Sequence, residues 1–542
     1  MIPGTMMDFP LSLTHLLRHG ARVYGDSTCV TFRGDHTTTK TYREIEQNAA
    51  RLANALARLG IRGGDRVGTF AWNNDTHLEA YFAVPCMGAV LHTLNIRLFP
   101  EQLAYVINHA KDRVIIVDGS IAPLLGRVVP EIPGVEHFIV VGEGDLSSLP
   151  PEKVIRYDAL LAAEKPEFAW VDVDERTAAA ICYTSGTTGH PKGVAYTHRS
   201  CFLHSLAVCG ALHLSEKERI LTIVPMFHAN AWGLPYAAFM FGSSLHMPDR
   251  FLQPEPLANF IEMARPTMSG AVPTVWAGLL QLGEKRPLDL SSLDRIVCGG
   301  SAVPRVMIET LEKKYGVNMI QGWGMTEMNP LGTVAIPPID VEPGTEEHMQ
   351  YRIRAGRILP GVEARVVDGE GRILPWDGES VGELEVRGPW VTGSYYETEA
   401  PEKFRDGWLR TGDVVTIDPK GFVRITDREK DVIKSGGEWI SSVDLENEIM
   451  GHPGVAEAAV VAILDERWGE RPLACIVPKP NALVDGESIR AHLEGRVASF
   501  WLPEAFAFVD EIPKTSVGKF DKKVLRARVQ EGQIEIRRID PK

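Results

Sequence analysis

The apolar residues of this chain follow two spacings, one typical of helices and one typical of buried strands. Residues 42–59 carry apolar side chains on one helical face, at Ile45, Ala49, Leu52, Ala53, Leu56 and Leu59. This spacing predicts an amphipathic helix, which Gly60 can end in a left-handed conformation. Short apolar runs predict buried strands, and they lie at 65–72, 114–117, 138–141, 178–182, 219–224, 267–271 and 293–298.

Further helical patterns separate these predicted strands, at 77–88, 257–264, 273–282 and 304–315. Strands that alternate with helices indicate a layered α/β domain with parallel-sheet subdomains. From residue 364 onward short strands and turns follow one another, which predicts a β-rich subdomain. Beyond residue 433, predicted strands and helices alternate as in a small α+β domain, at 443–450, 458–463, 473–477 and 488–496.

The chain is longer than a single hydrophobic core usually organises, so 542 residues predict more than one domain. The stretch that begins at Thr426 is charged and has no hydrophobic period, which is typical of a linker. We therefore predict an N-terminal domain over 1–426, a hinge linker over 427–432 and a C-terminal domain over 433–542.

Charge and composition argue against several functions. The formal net charge of -14 disfavours general affinity for nucleic acid or for an anionic membrane surface. The seven cysteines show no Cys-x-x-Cys or His/Cys ligand spacing, which fits a reducing, cytoplasmic location without zinc or disulfides. Residues 225–248 contain no Asp, Glu, Lys or Arg, but Pro, Gly, His and Asn interrupt them. We expect a buried core segment there, and no integral membrane segment.

A stretch rich in glycine and hydroxyl side chains follows the strand predicted at 178–182. It reads Tyr-Thr-Ser-Gly-Thr-Thr-Gly-His-Pro-Lys-Gly over 183–193. Its glycines let the backbone turn tightly and approach a ligand, and its hydroxyls donate hydrogen bonds, so the stretch can wrap a polyphosphate. It is not a P-loop, because the Gly-Lys-Ser/Thr of that motif is absent. Composition alone also fits a flexible surface loop.

This stretch and four others resemble, in the same order along the chain, the motifs of the adenylate-forming enzymes, at 183–193, 322–327, 410–413, 427–441 and 513–519. The superfamily includes acyl-CoA synthetases, peptide-synthetase adenylation domains and firefly luciferase. The segment Lys-Ser-Gly-Gly-Glu-Trp-Ile-Ser at 434–441 is most similar to fatty acyl-CoA synthetases. The resemblance implies that a carboxylic acid attacks the α-phosphate of ATP and that CoA then takes the acyl group from acyl-AMP.

The resemblance also implies which residues bind the nucleotide and the metal ion. Thr184 and Glu327 would bind Mg²⁺, an ion that prefers oxygen ligands. The phosphates would lie against Thr184, Ser185, Gly186, Thr187, Thr188, Gly189 and Lys192. The rest of the nucleotide would contact Gly300, Ser301, Gln321, Gly322, Trp323, Thr326, Asp413, Arg428, Lys434 and Trp439. Trp323 would offer the adenine a flat face, and Asp413 would accept hydrogen bonds from the ribose hydroxyls.

The two half-reactions are implied to use different parts of the C-terminal domain. Lys519, in a glycine-bearing loop, would stabilise the charge that develops on the α-phosphate. The C-terminal domain would then rotate about Lys430. Gly436, Gly437 and Glu438 would border the path by which CoA reaches the acyl-AMP.

The acid site is implied to include His228, Trp232 and Gly299. By resemblance, His228 lies near the substrate carboxylate or the approaching thiol, and Trp232 matches a gate residue of a fatty acid tunnel. Judged alone, a single histidine is more often a core group than a catalytic one. The predicted catalytic residues are thus Lys519, His228, Thr184 and Glu327.

A medium- or long-chain fatty acid is the expected substrate, because the uncharged segment at 225–248 suggests an apolar pocket. A 3-(methylthio)propionate-CoA ligase is the main alternative, since Trp-Gly-Met-Thr-Glu-Met-Asn-Pro-Leu-Gly at 323–332 resembles that group as well. An aryl acid is a third candidate. More distant alternatives are a luciferase-like oxygenase and a carrier-protein-loading adenylation enzyme. By analogy with fatty acyl-CoA synthetases, a homodimer is expected.

Overall fold

The computed structural model describes residues 1–184, 190–428, 431–435, 438–465, 467–515 and 519–539, with the backbone alone at 438 and 439. Helices and strands alternate in the first part of the chain, as the sequence predicts. The elements are, in order, α1 (Leu13–Val23), β1 (Thr28–Phe32), β2 (Thr37–Thr41), α2 (Tyr42–Arg58), β3 (Arg66–Phe70), α3 (Asp75–Cys86), β4 (Val90–Thr93), α4 (Pro100–Ala110), β5 (Asp112–Asp118), α5 (Ala122–Gly126), β6 (His137–Val141), β7 (Val154–Arg156), α6 (Tyr157–Ala162) and β8 (Ala178–Tyr183).

The middle part of the chain continues this alternation and then changes to strands. Its elements are β9 (Gly193–Thr197), α7 (His198–Leu212), β10 (Arg219–Thr222), α8 (Leu234–Phe241), β11 (Ser244–Met247), α9 (Pro254–Ala264), β12 (Met268–Ala271), α10 (Pro273–Lys285), β13 (Arg295–Gly299), α11 (Arg305–Tyr315), β14 (Asn318–Gly324), β15 (Leu331–Val334), α12 (Glu346–Arg352), β16 (Gly356–Ile358), β17 (Glu363–Val367), β18 (Ile373–Leu374), β19 (Gly382–Arg387), β20 (Phe404–Arg405), β21 (Trp408–Ile417) and β22 (Phe422–Arg428).

The last part of the chain mixes short helices with strands. It contains β23 (Ile433–Ser435), β24 (Glu438–Ile440), α13 (Ser442–Met450), β25 (Val455–Asp465), β26 (Gly469–Pro478), α14 (Gly486–Leu493), β27 (Ala505–Phe508), α15 (Lys522–Gln530) and β28 (Arg537–Arg538). Its strands pair in the order β24-β23-β26-β27-β28, with β25 on β26. The apolar faces of α13 and α14 cover this sheet through Leu445, Ile449 and Ile489. This is the small α+β C-terminal domain that the sequence predicts.

The large N-terminal domain is built on two further sheets. One has the order β7-β6-β5-β3-β4-β8-β9 and is parallel as far as β8. In the other, β1, β11, β10, β12, β13 and β14 are parallel neighbours. From β15 onward the same sheet continues through antiparallel pairs to β18. The predicted parallel subdomains and the β-rich subdomain are therefore confirmed.

Helix α2 forms where the apolar spacing predicts it. Thr41 caps its first turn, and the Glu44 carboxylate accepts a hydrogen bond from the Thr41 backbone N–H in return. Gly60 follows the helix with φ of 88°, the left-handed region expected of it. The charge-free segment 225–248 is a core segment, as predicted, with Tyr236 and Phe239 fully buried. Among the described residues, every helix is too short or too polar to cross a bilayer.

The junction between the two domains differs in detail from the predicted linker. Strand β22 extends to Arg428, because Asp427 and Arg428 pair with Val414 and Asp413 of β21. The first two residues of the linker predicted over 427–432 therefore lie in a strand. Residues 429 and 430 lie outside the described part of the chain, and the domain boundaries stay predictions.

Candidate active site

A cavity of about 370 Å³ lies between the two domains, where several strands end. Parallel strands of open α/β sheets direct their carboxyl ends toward ligand sites. Here β8, β12, β13 and β14 supply the loops at the rim. The cavity brings together twelve predicted site residues, namely Thr184, Lys192, His228, Trp232, Gly299, Gly300, Gly322, Trp323, Thr326, Glu327, Arg428 and Lys519.

A second cleft of about 610 Å³ adjoins this cavity through Gly300, Trp323 and Lys519. Three more predicted residues line it, namely Ser301, Gln321 and Asp413. Gln321 is held in place by its own amide, which accepts from the Val303 N–H at 3.0 Å and donates to the Arg354 carbonyl at 2.9 Å.

Asp413 has a fixed carboxylate at the point where the two cavities meet. Its Oδ2 accepts a hydrogen bond from the Trp323 indole N–H at 2.8 Å, and its Oδ1 lies 2.6 Å from Arg428 Nε. Asp413 is buried, whereas about half of the Arg428 side chain is exposed. The nearby carboxylate of Asp413 raises the pKa of Arg428. A carboxylate fixed in this way is a suitable acceptor for ribose hydroxyls.

Lys519 reaches from the C-terminal domain into the N-terminal domain and lies against Gly300. A Cβ on Gly300 would be 3.0 Å from Lys519 Cε, and Gly300 has φ of 88°, so both the space and the backbone require glycine there. Burial and repulsion from Arg428 together lower the pKa of Lys519 to about 8, against the attraction of Asp413 and Glu327. Its ammonium group is thus charged near neutral pH.

Thr184 and Glu327 face the same cavity and fit a magnesium ion by their chemistry. The Glu327 carboxylate is 8% exposed, and its Oε1 accepts a hydrogen bond from the Tyr395 hydroxyl at 2.6 Å. The Thr184 hydroxyl accepts from the Lys192 N–H at 3.1 Å. In the part of the chain that the structure describes, no cluster of three or more His, Cys, Asp or Glu could hold a metal on its own. Two protein oxygens and substrate phosphates are the usual ligands of Mg²⁺.

His228 and Trp232 also line the cavity. Burial, together with the charge of Lys519, lowers the pKa of His228 to about 3, so its ring is neutral at pH 7. The Trp232 ring lies along two strands, close to where a Cβ on Gly270 or Gly299 would project, at 3.5 and 3.4 Å. Apolar side chains complete this wall, at Ile223, Val224, Leu252, Val272 and Val275.

Several predicted residues are not brought to these cavities. Lys434 is exposed and, within the described ranges, lines neither cavity; its backbone N–H donates to the Glu470 carboxylate at 2.8 Å. Others lie outside the described residues, namely Ser185, Gly186, Thr187, Thr188, Gly189, Lys430, Gly436 and Gly437. Of Glu438 and Trp439 the structure describes the backbone alone, in β24.

The sequence did not point to Tyr395, Lys403 or Arg97, all of which line the cavity. Tyr395 supports Glu327 directly through its hydroxyl, and Lys192 lies 4.9 Å from the centre of its ring. Arg97 lies far in the sequence from Tyr395 and Lys403, and no local spacing or composition marks any of the three.

The structure brings Lys519 of the small domain to a cavity of the large domain, which is the arrangement that the resemblance to adenylate-forming enzymes implies. The chain belongs to the family of AMP-binding enzymes, which its residues 17–396 match. Residues 444–519 match the C-terminal domain of AMP-binding enzymes.

Similar proteins cover almost the whole chain. A 3-methylmercaptopropionyl-CoA ligase of Ruegeria lacuscaerulensis is 44% identical over 96% of this chain and 98% of its own length. A long-chain-fatty-acid–CoA ligase of Thermus thermophilus is also 44% identical, over 97% of this chain and 96% of its own. A crystal structure of the anthranilate CoA ligase AuaEII with anthranoyl-AMP is similar with a TM-score of 0.87 and 27% identity, over 97% and 99% of the two chains.

Proposed function

We propose that this chain activates a medium- or long-chain fatty acid, with 3-(methylthio)propionate as the second candidate. The reaction class is that of an AMP-forming acid–thiol ligase, an acyl-CoA synthetase that uses ATP, Mg²⁺ and CoA. The observation that carries the proposal is Lys519 within the same cavity as Glu327 and an uncharged acyl wall. The second candidate is retained because the relative that acts on the sulfur-containing acid is as similar as the fatty acid ligase.

The first half-reaction is proposed to proceed with Lys519 as the main electrostatic catalyst. The acid carboxylate attacks the α-phosphate, the bond to pyrophosphate breaks, and the Lys519 ammonium stabilises the charge that develops on the phosphoryl oxygens. Asp413 binds the ribose, and Trp323 stacks on the adenine. A magnesium ion held by Thr184 and Glu327 would neutralise part of the triphosphate charge.

His228 is proposed to orient the acid rather than to pair with it as a cation. Its ring is neutral because burial and Lys519 lower its pKa to about 3. A neutral imidazole donates one hydrogen bond to a carboxylate oxygen and adds no charge to the attacking group. The attacking carboxylate therefore keeps its nucleophilic charge.

The second half-reaction is proposed to follow a rotation of the C-terminal domain about Lys430. Lys519 then leaves the cavity, and the thiol of CoA approaches along Gly436, Gly437 and Glu438. The sulfur attacks the acyl carbonyl of acyl-AMP, the thiol proton passes to solvent, and AMP leaves as the thioester forms.

A pyrophosphate-release assay with ATP, Mg²⁺ and CoA tests the substrate proposal. The panel contains propionate, 3-(methylthio)propionate, the C8, C12 and C16 acids, and benzoate. We expect the highest kcat/KM at C8 or longer. A maximum at the sulfur-containing acid would instead establish the second candidate, and a maximum at benzoate would contradict both. Oxygen consumption or light emission with the same acids would indicate a luciferase-like oxygenase.

We also propose that the chain forms a homodimer and is located in the cytoplasm. The dimer rests on analogy with fatty acyl-CoA synthetases. The location rests on the seven cysteines, which are all unpaired buried thiols and thus suit a reducing compartment. Light scattering during gel filtration tests the dimer, for which a mass near 120 kDa is expected as roughly twice the 59.8 kDa chain. Cell fractionation with an antibody to the chain tests the location.

A further inference from the structure

The segment between His228 and helix α8 has a backbone that non-glycine residues rarely adopt. Five consecutive residues have positive φ, namely Ala229 (43°), Asn230 (49°), Ala231 (50°), Trp232 (57°) and Gly233 (73°). We call residues 229–233 the left-handed turn. Non-glycine residues in this region are strained, so the surrounding structure must hold the turn in place.

Gly233 ends the turn where no other residue fits. A Cβ there would lie 2.6 Å from His204 Nδ1. The turn is a short segment of 3₁₀ type, and its backbone hydrogen bonds include those from the Ala231 N–H to the His228 carbonyl at 3.1 Å and from the Leu234 N–H to the Ala231 carbonyl. Side-chain hydrogen bonds from two neighbouring strands hold it in addition.

Asn230 is the side chain that fastens the turn to the neighbouring sheet. It is 1% exposed, and its Oδ1 accepts hydrogen bonds from the Cys182 thiol at 3.1 Å and the Thr93 hydroxyl at 3.3 Å. Thr93 is the last residue of β4, and Cys182 lies in β8, two residues before Thr184. The described residues offer no acceptor to the buried Asn230 Nδ2. Asparagine is also the non-glycine residue that tolerates positive φ best.

We propose that Asn230 is a positioning residue for the acid substrate. Its side chain joins the left-handed turn to β4 and β8 by hydrogen bonds. It thereby fixes the positions of His228 and Trp232, which lie two residues before and after it and line the cavity. Asn230 itself does not touch the cavity, so it acts through them. This inference rests on the proposed function as an acyl-CoA synthetase and adds to it a determinant of acid affinity and chain length.

The test compares variants that separate the backbone from the side chain. Asn230→Gly keeps the freedom to adopt positive φ but removes the anchor. It should raise the KM for the preferred acid about 10-fold, as expected for the loss of two hydrogen bonds. It should also flatten the preference among C8, C12 and C16 acids, because Trp232 is no longer fixed. The KM for ATP should be unchanged, since β8 keeps its own sheet partners.

Thr93 provides a second, independent comparison. Thr93→Val removes the hydroxyl at nearly constant shape and should raise the acid KM about 3-fold, whereas Thr93→Ser keeps the hydroxyl and should restore the wild-type value. In Asn230→Gly, adding Thr93→Val should have no further effect, because both changes remove the same anchor. Asn481→Gly is the matched control, as Asn481 is exposed and has φ of 63° in the C-terminal domain.

Two results would overturn the proposal. One is an unchanged acid KM and chain-length profile in Asn230→Gly, whether or not its melting temperature falls. The other is an equal rise of the acid and ATP KM values. If Asn230→Gly does not fold, the Thr93→Val and Thr93→Ser pair decides alone, and equal KM values in those two variants would reject the anchor. A wild-type enzyme without acid-dependent pyrophosphate release would instead reject the proposed function.

Discussion

At the scale of single residues, Lys519 lines the cavity and carries the charge that the proposed reaction needs. Burial and Arg428 lower its pKa to about 8. The protonated form is the one proposed to stabilise the phosphoryl oxygens, so kcat/KM for ATP should fall as pH rises through about 8 in the free enzyme. A pyrophosphate-release profile from pH 6.5 to 10 measures this limb. Its absence from the wild-type profile would contradict the role given to Lys519.

Lys519→Ala should slow acyl-AMP formation by roughly 10²–10³-fold, the usual effect of removing one electrostatic group. Thioester formation from supplied acyl-AMP should be largely spared. The pKa of Lys519 is lowered in the folded state, so the unfolded state binds more protons between about pH 8 and the ordinary lysine pKa. The charged lysine therefore costs stability below pH 8, and the alanine variant should not melt earlier than the wild type. Equal loss of both half-reactions would contradict the assignment.

At the scale of secondary structure elements, helix α4 contacts the predicted phosphate-binding stretch 183–193 on both sides of residues 185–189. Tyr105 stacks on His190, which follows residue 189, with ring centres 4.3 Å apart. His109 lies one turn further along α4. Its Nδ1 is 2.7 Å from the hydroxyl of Tyr183, which comes before residue 185. Tyr105 and His109 also stack on each other, at 5.3 Å. The first two contacts join residues on both sides of 185–189 to one helix, and the third joins their partners within it.

Tyr105→Ala should therefore raise the KM for ATP by roughly 2- to 10-fold, the range expected for losing one aromatic pair. The KM for the acid should stay constant, because the apolar residues of the proposed acid site do not lie on α4. Tyr105→Phe keeps the ring and should behave as the wild type in the same initial-rate measurements. An acid KM that rises together with the ATP KM would show a general loss of structure instead.

At the scale of the whole molecule, the C-terminal domain is docked through a buried polar cluster beside β22. The Asp427 carboxylate accepts hydrogen bonds from the Ser442 N–H at 2.8 Å and its hydroxyl at 2.5 Å. Lys522 donates to the same hydroxyl at 2.6 Å and lies 2.7 Å from Glu446. Burial raises the pKa of Glu446 to about 7, against the attraction of Lys522. In this arrangement Lys519 lines the cavity, as the proposed adenylation step requires.

Lys430→Pro should impair thioester formation more than adenylation, because proline fixes φ and blocks the backbone rotation expected of a hinge. Single-turnover rates of acyl-AMP formation and of CoA transfer measure the two steps separately. Lys430→Ala removes the same charge but leaves the backbone free, so it should retain CoA transfer. A proline variant with an unchanged rate of CoA transfer would remove the hinge proposal.

Much of the fold could be predicted because local patterns and burial agree. The amphipathic spacing before Gly60 and the apolar run that ends at Cys182 both form the predicted elements. Arg428 was placed in a linker for its charge, yet it pairs with Asp413 across the β21–β22 ladder. A ladder partner is distant in sequence, so no local window contains it.

The sequence by itself determined the class of this enzyme, because its chemistry depends on a few residue types in short ordered motifs that keep their meaning without coordinates. The tertiary structure alone decided which of those residues meet. It placed Lys519 against Gly300 and left Lys434 at the surface. It also supported Glu327 by Tyr395 and set Trp232 in a left-handed turn that its intrinsic preference opposes. Such features arise from packing between distant segments, and the energy that holds them is supplied by neighbours that no stretch of sequence records.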